Sequence, residues 1–332
     1  MHLIEYSDNE HILLERELEV WSSRENMVAC SSGTAALHLG LEALQIPASI
    51  KRKGAEVIIP DYSMIACARA CTLADLVPMP VDCKQDLNIS PLMVEKSINK
   101  RTVAIMAVHT YGRLCDMQVI NDVASKYDIP VIEDMAEAHG CYPHPNTQIA
   151  TWSFYKNKLV HGEEGGAVCF GSDSLVSIAR KLRSIGFNDY HDYTHIPRGH
   201  NYRMSSVHAA LVRRSLQQYQ ENDDKRREVE GWYDEYCPDT WKMPKRDSVW
   251  VYDFRIKGMT SKQQGSIVDA LRGCGIQARH GFKPITSQLE YISRAHNPET
   301  ERASREMIYV PVTPGTTRND CQKTFDIVRM WQ

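Results

Sequence analysis

The sequence predicts an α/β protein: a largely parallel sheet covered by helices on both faces, followed by a smaller α+β domain. Three observations predict it. Short β-branched runs alternate with amphipathic segments through the first half of the 332 residues, the pattern of parallel strands joined by crossover helices. The pattern changes near Ser205, where a long, highly charged helical segment begins. The length exceeds what one compact core usually holds, so about two domains are expected. The reading places a large domain at 1–221 and a small C-terminal domain at 222–332.

The elements follow in order. AEVIIP (55–60), LVPMPVD (76–82), TVAIMAVH (102–109) and IPVIED (129–134) read as buried strands. Between them TAALHLGLEAL (34–44), MIACARACTLA (64–74), PLMVEKSINK (91–100) and DMQVINDVASKY (116–127) carry helical spacing. ATWSFY and GAVCF read as two further strands around a polar turn. SLVSIARKLRSIG (174–186) and one long segment from Ser205 to Tyr236 read as helices. Beyond them come a strand in VWVYDFRIKG (249–258), a helix near 261–273, IQARH (276–280) and a final helical stretch.

Composition excludes several classes. The net charge of -3 advertises neither nucleic acid nor an acidic membrane as partner. The basic triplets Lys51-Arg52-Lys53 and Lys225-Arg226-Arg227 read as solvated faces. No apolar run approaches the roughly 20 residues of a membrane span. The N-terminus is acidic and amphipathic, unlike a signal peptide. Ten cysteines occur without a CxxC pair, so reduced thiols in a cytoplasm are expected, with no metal site. Cys67 and Cys71 are expected to pack as small buried hydrophobes.

Four segments can carry chemistry. In SSGTAALHLGL (31–41), Ser31, Ser32, Gly33 and Thr34 lie where a loop becomes a helix, and free amides there make an anion site. Read alone, the segment also fits an ordinary helix cap. In IPVIEDMAEAHG (129–140), Asp134 ends an apolar strand, where open α/β sheets bind ligands. A carboxylate there suits a cation or a protonated ring nitrogen, or simply caps a helix over MAEAHG, in which case Glu137 shares its face. In ATWSFYKNKLVHGEEGGAV (150–168), Lys156 and Lys158 sit among aromatic and apolar residues. A desolvated lysine becomes an amine nucleophile toward a carbonyl, although a surface hairpin fits the same residues. In RGHNYRMSSVHAAL (198–211), Asn201 and Arg203 precede a helix, and the guanidinium fork suits carboxylate or phosphate.

Taken together and in this order, these segments, with HTYGRLCDM, resemble the sugar aminotransferases of the DegT/DnrJ/EryC1/StrS family from about residue 27 to 330. The resemblance implies a fold-type-I enzyme of pyridoxal 5'-phosphate (PLP), with a mostly parallel seven-stranded sheet and a small C-terminal α+β domain. It implies a homodimer with active sites at the subunit interface. By position Lys158 matches the Schiff-base lysine, five residues after Ser153 and six before Glu164; Lys156 fits neither spacing. Asp134 matches the partner of the pyridine nitrogen, and Glu137 the neighbour of the ring and its hydroxyl. Gly33, Thr34 and Ser153 match phosphate contacts, and Asn201 a residue reaching the phosphate from the other subunit. Met64 falls where an aromatic ring is expected to stack, with Tyr62 as a substitute if the loop shifts. Arg203, Arg279, His280 and Lys283 are candidate substrate contacts.

The implied reaction has two halves. L-glutamate leaves its amine on the cofactor, giving pyridoxamine 5'-phosphate, and a keto sugar on a nucleoside diphosphate then accepts it. The family's dehydratase members carry histidine at the Schiff-base position, so Lys158 argues for amino transfer. SFYKNK and GIQARHGFKPI look most like enzymes making 4-amino-4,6-dideoxy sugars. The loop CYPHPNTQ after His139 is shorter than the family's usual one, in a region that shapes the substrate site. A different carbonyl substrate, an elimination, or a non-catalytic regulator keeping the fold are the alternatives.

Overall fold

The computed structural model of the chain describes residues 7, 9–187, 193–196, 198–293 and 295–331. The first seven strands are β1 (Met27–Cys30), β2 (Glu56–Pro60), β3 (Val77–Val81), β4 (Thr102–Val108), β5 (Val131–Asp134), β6 (Ile149–Ser153) and β7 (Gly166–Phe170). They form one sheet in the order β1-β7-β6-β5-β4-β2-β3. β3, β2, β4, β5 and β6 run parallel, and β7 is antiparallel to both its neighbours. Pro78 and Pro80 are tolerated in β3 because it is the edge strand.

Successive strand residues point to opposite faces, and the core divides accordingly. Val57, Ile59, Ala104 and Met106 pack with residues of the helices Gly33–Ala43, Ala66–Leu73 and Asp173–Arg183. Ile58, Ile105 and Val131 pack the other way, with the helices Pro91–Ser97 and Met117–Ser125. Further along that face, Ala29, Trp152 and Cys169 meet the helices Glu10–Ser22 and Ser206–Gln217. Burial on both faces is why the strands read as continuous apolar runs. Each of the buried Val, Ile and Met side chains stabilises the fold by roughly 1.5–3 kcal/mol relative to exposure.

A second sheet holds β8 (Val251–Arg255), β9 (Arg279–His280) and β10 (Met307–Pro311), antiparallel in the order β8-β10-β9. Its own core is aromatic: Tyr233, Trp241, Tyr252, Phe254 and Phe325 pack together, with Tyr233 stacked on Tyr252 at 4.8 Å. One buried carboxylate ties the two sheets. Asp253 of β8 accepts from Arg113, in the turn after β4, at 2.7 and 2.9 Å, and from Arg246 at 2.6 Å. Burial alone would raise the Asp253 pKa, but the two guanidiniums outweigh it and hold the carboxyl ionised.

Several expectations change. The long segment from Ser205 to Tyr236 is two helices, Ser206–Gln217 and Tyr219–Tyr236. The break at Gln218 lets Tyr219 lie edge-on against Trp21 at 5.7 Å and over Gly140, whose missing Cβ leaves the room. The position proposed as a domain boundary, 221/222, falls inside the second of these helices. β1 and β10 are strands that the sequence did not announce, and β10 interrupts the final helical stretch. The triplet Lys225-Arg226-Arg227 is not all solvated. Helical spacing turns Arg226 inward with Asp223, Val229 and Tyr233, and it is buried. Lys51 is also drawn in, by Glu42 at 3.1 Å and the Ala74 carbonyl at 2.7 Å.

Eight cysteines, Cys67 and Cys71 among them, are buried, Cys141 is half-buried and Cys274 is exposed. Among the described residues no helix is long and apolar enough to cross a membrane.

Candidate active site

β4, β5 and β6 end side by side at Val108, Asp134 and Ser153, and all three ends line a cavity of about 440 Å3. The helix Gly33–Ala43 starts at the same edge. Its cap is Ser32, whose Oγ accepts from the Ala35 amide at 3.1 Å. The amides of Gly33 and Thr34, both on the cavity wall, have no partner within the helix and carry its positive end. Gly33 must be glycine here: a Cβ would stand 2.7 Å from Ser153 Cβ. The segment expected to bind an anion is therefore also an ordinary capped helix start.

The turn after β5 departs from expectation. Met135–Gly140 is a series of turns, not a helix, so helical spacing is not what relates Asp134 to Glu137. The Ala136 amide donates to Asp134 Oδ1 at 2.9 Å and closes the turn. Asp134 Oδ2 faces the Cys67 thiol at 3.8 Å. Glu137 Oε2 accepts from the Tyr111 amide at 2.7 Å. Tyr111 adopts a left-handed conformation, φ 53, to aim that amide. Burial raises both carboxyls, Glu137 to about 7, while Lys158 pulls the other way.

The connection from β6 to β7 separates the two lysines. Phe154 and Lys156 bond back to Gly165 and Glu163, and the Lys158 amide donates to the Tyr155 carbonyl at 2.8 Å. Lys156 is exposed, whereas Lys158 is 9% exposed and lines the cavity. Its Nζ lies 3.8 Å from the centre of the Trp250 ring. Burial lowers its pKa, Glu137 and Asp134 oppose that, and Arg226 adds to it. A buried amine facing two carboxyls is the arrangement of a nucleophile and proton carrier.

Trp250, Phe282, Tyr309 and Arg279 close the cavity from the side of the small sheet. Met64 lines it too, at 56% exposure. Tyr62 does not substitute: it is fully buried, with its hydroxyl 3.1 Å from that of Tyr111. Four named residues lie off this chain's cavity wall. Asn201 is exposed and accepts from Arg203 at 3.4 Å. His280 Nδ1 meets Gln264 at 3.1 Å, and Lys283 is exposed. Sequence reasoning missed Trp250, Tyr309, Cys67 and Arg226, because nothing in their local spacing links them to the lysine.

A lysine and two acids at the carboxyl edge of a mostly parallel sheet, over a small antiparallel sheet, define a fold-type-I aminotransferase architecture. The crystal structure of 3-amino-5-hydroxybenzoic acid synthase has it, with a TM-score of 0.89 and 25% identity over 97% of this chain and 90% of that one. DesV from S. venezuelae, solved in complex with a ketimine intermediate, matches with a TM-score of 0.87 and 27% identity, covering 98% of this chain and 90% of that one. GDP-perosamine synthase from Caulobacter vibrioides is 31% identical over 315 residues, 90% of this chain and 84% of that protein. The chain belongs to the DegT/DnrJ/EryC1/StrS aminotransferase family, whose sequence model matches residues 5–329. Aminotransferases of this family are PLP-dependent.

Proposed function

We propose that this chain binds PLP and transfers the amino group of L-glutamate to a keto sugar carried on a nucleoside diphosphate. The observation that carries the reading is Lys158: a buried amine with lowered proton affinity, poised between an indole face and two buried carboxyls. The surroundings fit the cofactor. The Gly33–Ser153 approach and the free amides of the helix start make a cradle for a phosphate. Among the described residues the hydrogen-bond partner of Asp134 Oδ2 is a thiol alone, which leaves a lone pair for a ring N–H.

Bound there, the cofactor supplies the electron sink that makes the amine's α-carbon acidic. The chain's own residues do the rest. Lys158 carries the cofactor, and as a free base it takes and returns the proton at its Nζ. Asp134 keeps the ring nitrogen protonated by charge pairing. Glu137, fixed by the Tyr111 amide, would hold the ring and its hydroxyl. Gly33, Thr34 and Ser153 hold the phosphate, joined by Asn201 of a second copy, which the exposure of Asn201 permits. Met64 would cover the ring with a polarizable thioether. Arg279, at the mouth, meets an anionic part of a substrate. Arg203, His280 and Lys283 serve the acceptor only if a second copy or a closing motion brings them in. In this reading residues 1–221 form the cofactor domain and 222–332 the small domain of a cytoplasmic homodimer, with the helix Tyr219–Tyr236 running from one into the other.

The relative named for a GDP-linked product supports the sugar acceptor. A second reading, a different carbonyl acceptor, is favoured by the likeness to 3-amino-5-hydroxybenzoic acid synthase. The test is an absorption spectrum of the purified protein with PLP, before and after L-glutamate. Conversion of the bound band to the pyridoxamine form supports the first half-reaction. A band that glutamate leaves unchanged refutes the donor, and no band refutes the cofactor. Panels of GDP-, dTDP- and UDP-linked keto sugars against the pyridoxamine form then separate the two acceptors.

A further inference from the structure

Arg226 differs from the other buried arginines. Arg113, Arg183, Arg246 and Arg255 each meet a carboxylate. Arg226, 7% exposed, makes no ion pair among the described residues. Its acidic neighbour Asp223 is taken by Arg227, whose Nε donates to Oδ2 at 2.7 Å. The Arg226 guanidinium donates instead to three backbone carbonyls: Trp250 at 2.9 Å, Val249 at 3.4 Å and Lys158 at 3.5 Å. Asp223 offsets the Arg226 charge only through space, without an ion pair. A buried cation hydrogen-bonded to carbonyls alone opposes folding, and a methionine would fill the same space without that cost. Two of the three carbonyls belong to the residues that meet in the cavity, the Lys158 amine lying over the Trp250 ring. The Trp250 indole N–H donates to the Asn157 carbonyl at 3.0 Å and closes the loop from the other side.

We propose that Arg226 is a positioning residue for amino transfer: it ties the backbone of Lys158 to that of Val249 and Trp250, and so seats the amine on the indole face. The proposal rests on Lys158 being the lysine that carries the cofactor. The same tie fixes a positive charge behind the amine, which disfavours its protonated form. Arg226 thus acts with burial, and against Asp134 and Glu137, to keep Lys158 a free base. His139 also faces this region but stays neutral, since burial, then Lys158, pull it down to about 3. Glu164, Arg279 and the phenols of Tyr155 and Tyr309 line the same cavity. The cation among these groups that Lys158's own carbonyl holds in place is Arg226.

The test uses the pyridoxamine-loaded protein, in which Lys158 is free. Competitive acetylation of the Lys158 peptide, read by mass spectrometry against pH, gives the amine's midpoint without turnover. Stopped-flow absorbance with 2-oxoglutarate gives the acid limb of the half-reaction. R226M and R226Q should raise both midpoints by about half to one pH unit, a roughly 3- to 10-fold loss of rate on the acid limb, below the midpoint. R226K, which keeps the charge, should recover most of the shift. Folded R226M or R226Q with both midpoints unchanged would overturn the proposal; where R226M fails to fold, R226Q decides. Failure of the underlying reading looks different: K158A would then keep a cofactor band that L-glutamate converts.

Discussion

The cavity has two walls built on different principles. The wall from the large sheet sets charge at depth and fixes it with backbone: Asp134 by the Ala136 amide, Glu137 by the Tyr111 amide, and Lys158 within a hydrogen-bonded turn. The wall from the small sheet offers ring faces, Trp250, Phe282 and Tyr309, and one exposed cation, Arg279. The first wall can hold one charged, planar molecule in one orientation. The second can accept partners that differ in shape, because a ring face sets few directional demands. In the proposed reading, chemistry belongs to the first wall together with the Trp250 ring that seats its amine, and choice of substrate to the rest of the second.

The largest test of that division is K158A. It should lose the covalent cofactor and at least about 10⁴-fold of the rate; a variant that still turned over normally would remove Lys158 from its role. D134N keeps the shape and loses the charge. We expect roughly 10²- to 10³-fold less activity with near-normal thermal stability, checked by steady-state rates beside a melting curve. R279Q belongs to the other wall. It should raise KM for an anionic substrate about tenfold and leave kcat nearly unchanged. A fall in kcat alone would place Arg279 with the chemistry.

The smallest effect concerns Glu137 without cofactor. Its pKa is raised from 4.5 to about 7, chiefly by burial. The folded state therefore binds this proton more tightly than the unfolded chain, so stability falls as pH rises from about 4.5 to 7 and stays lowered above. E137Q should then stabilise the cofactor-free protein by about 1–3 kcal/mol at pH 8 and by almost nothing at pH 4. Denaturant melts at the two pH values measure it, and equal gains at both would contradict the sign.

The first wall was legible in the sequence, and of the second only Arg279 was, for physical reasons. Strand ends, helix starts and lysine spacing are local, and Gly33, Asp134, Ser153 and Lys158 all fall on such positions. The Asp134–Glu137 relation was read as helical spacing, yet turns and the Tyr111 amide create it. Trp250, just before β8, and Tyr309, in β10, reach the cavity only through the packing of the small sheet's domain against the large sheet's, which no local pattern encodes. Arg226 lies between two other basic residues on a charged helix, and only the packing of that helix shows which one turns inward. β10 follows directly on the helix Pro298–Glu306, so its five residues were absorbed into a helical reading.

β10 lies between β8 and β9, although it is the last of the three in the chain. During synthesis β8 and β9 have no partner to share until Pro311 has left the ribosome. The large sheet, complete at Phe170, has long been free to form by then. The nascent chain thus exposes the lysine wall well before the aromatic wall can cover it. Pulse-labelling of the Lys158 amine on stalled chains would time that interval, with reactivity lost only after the final strand is released.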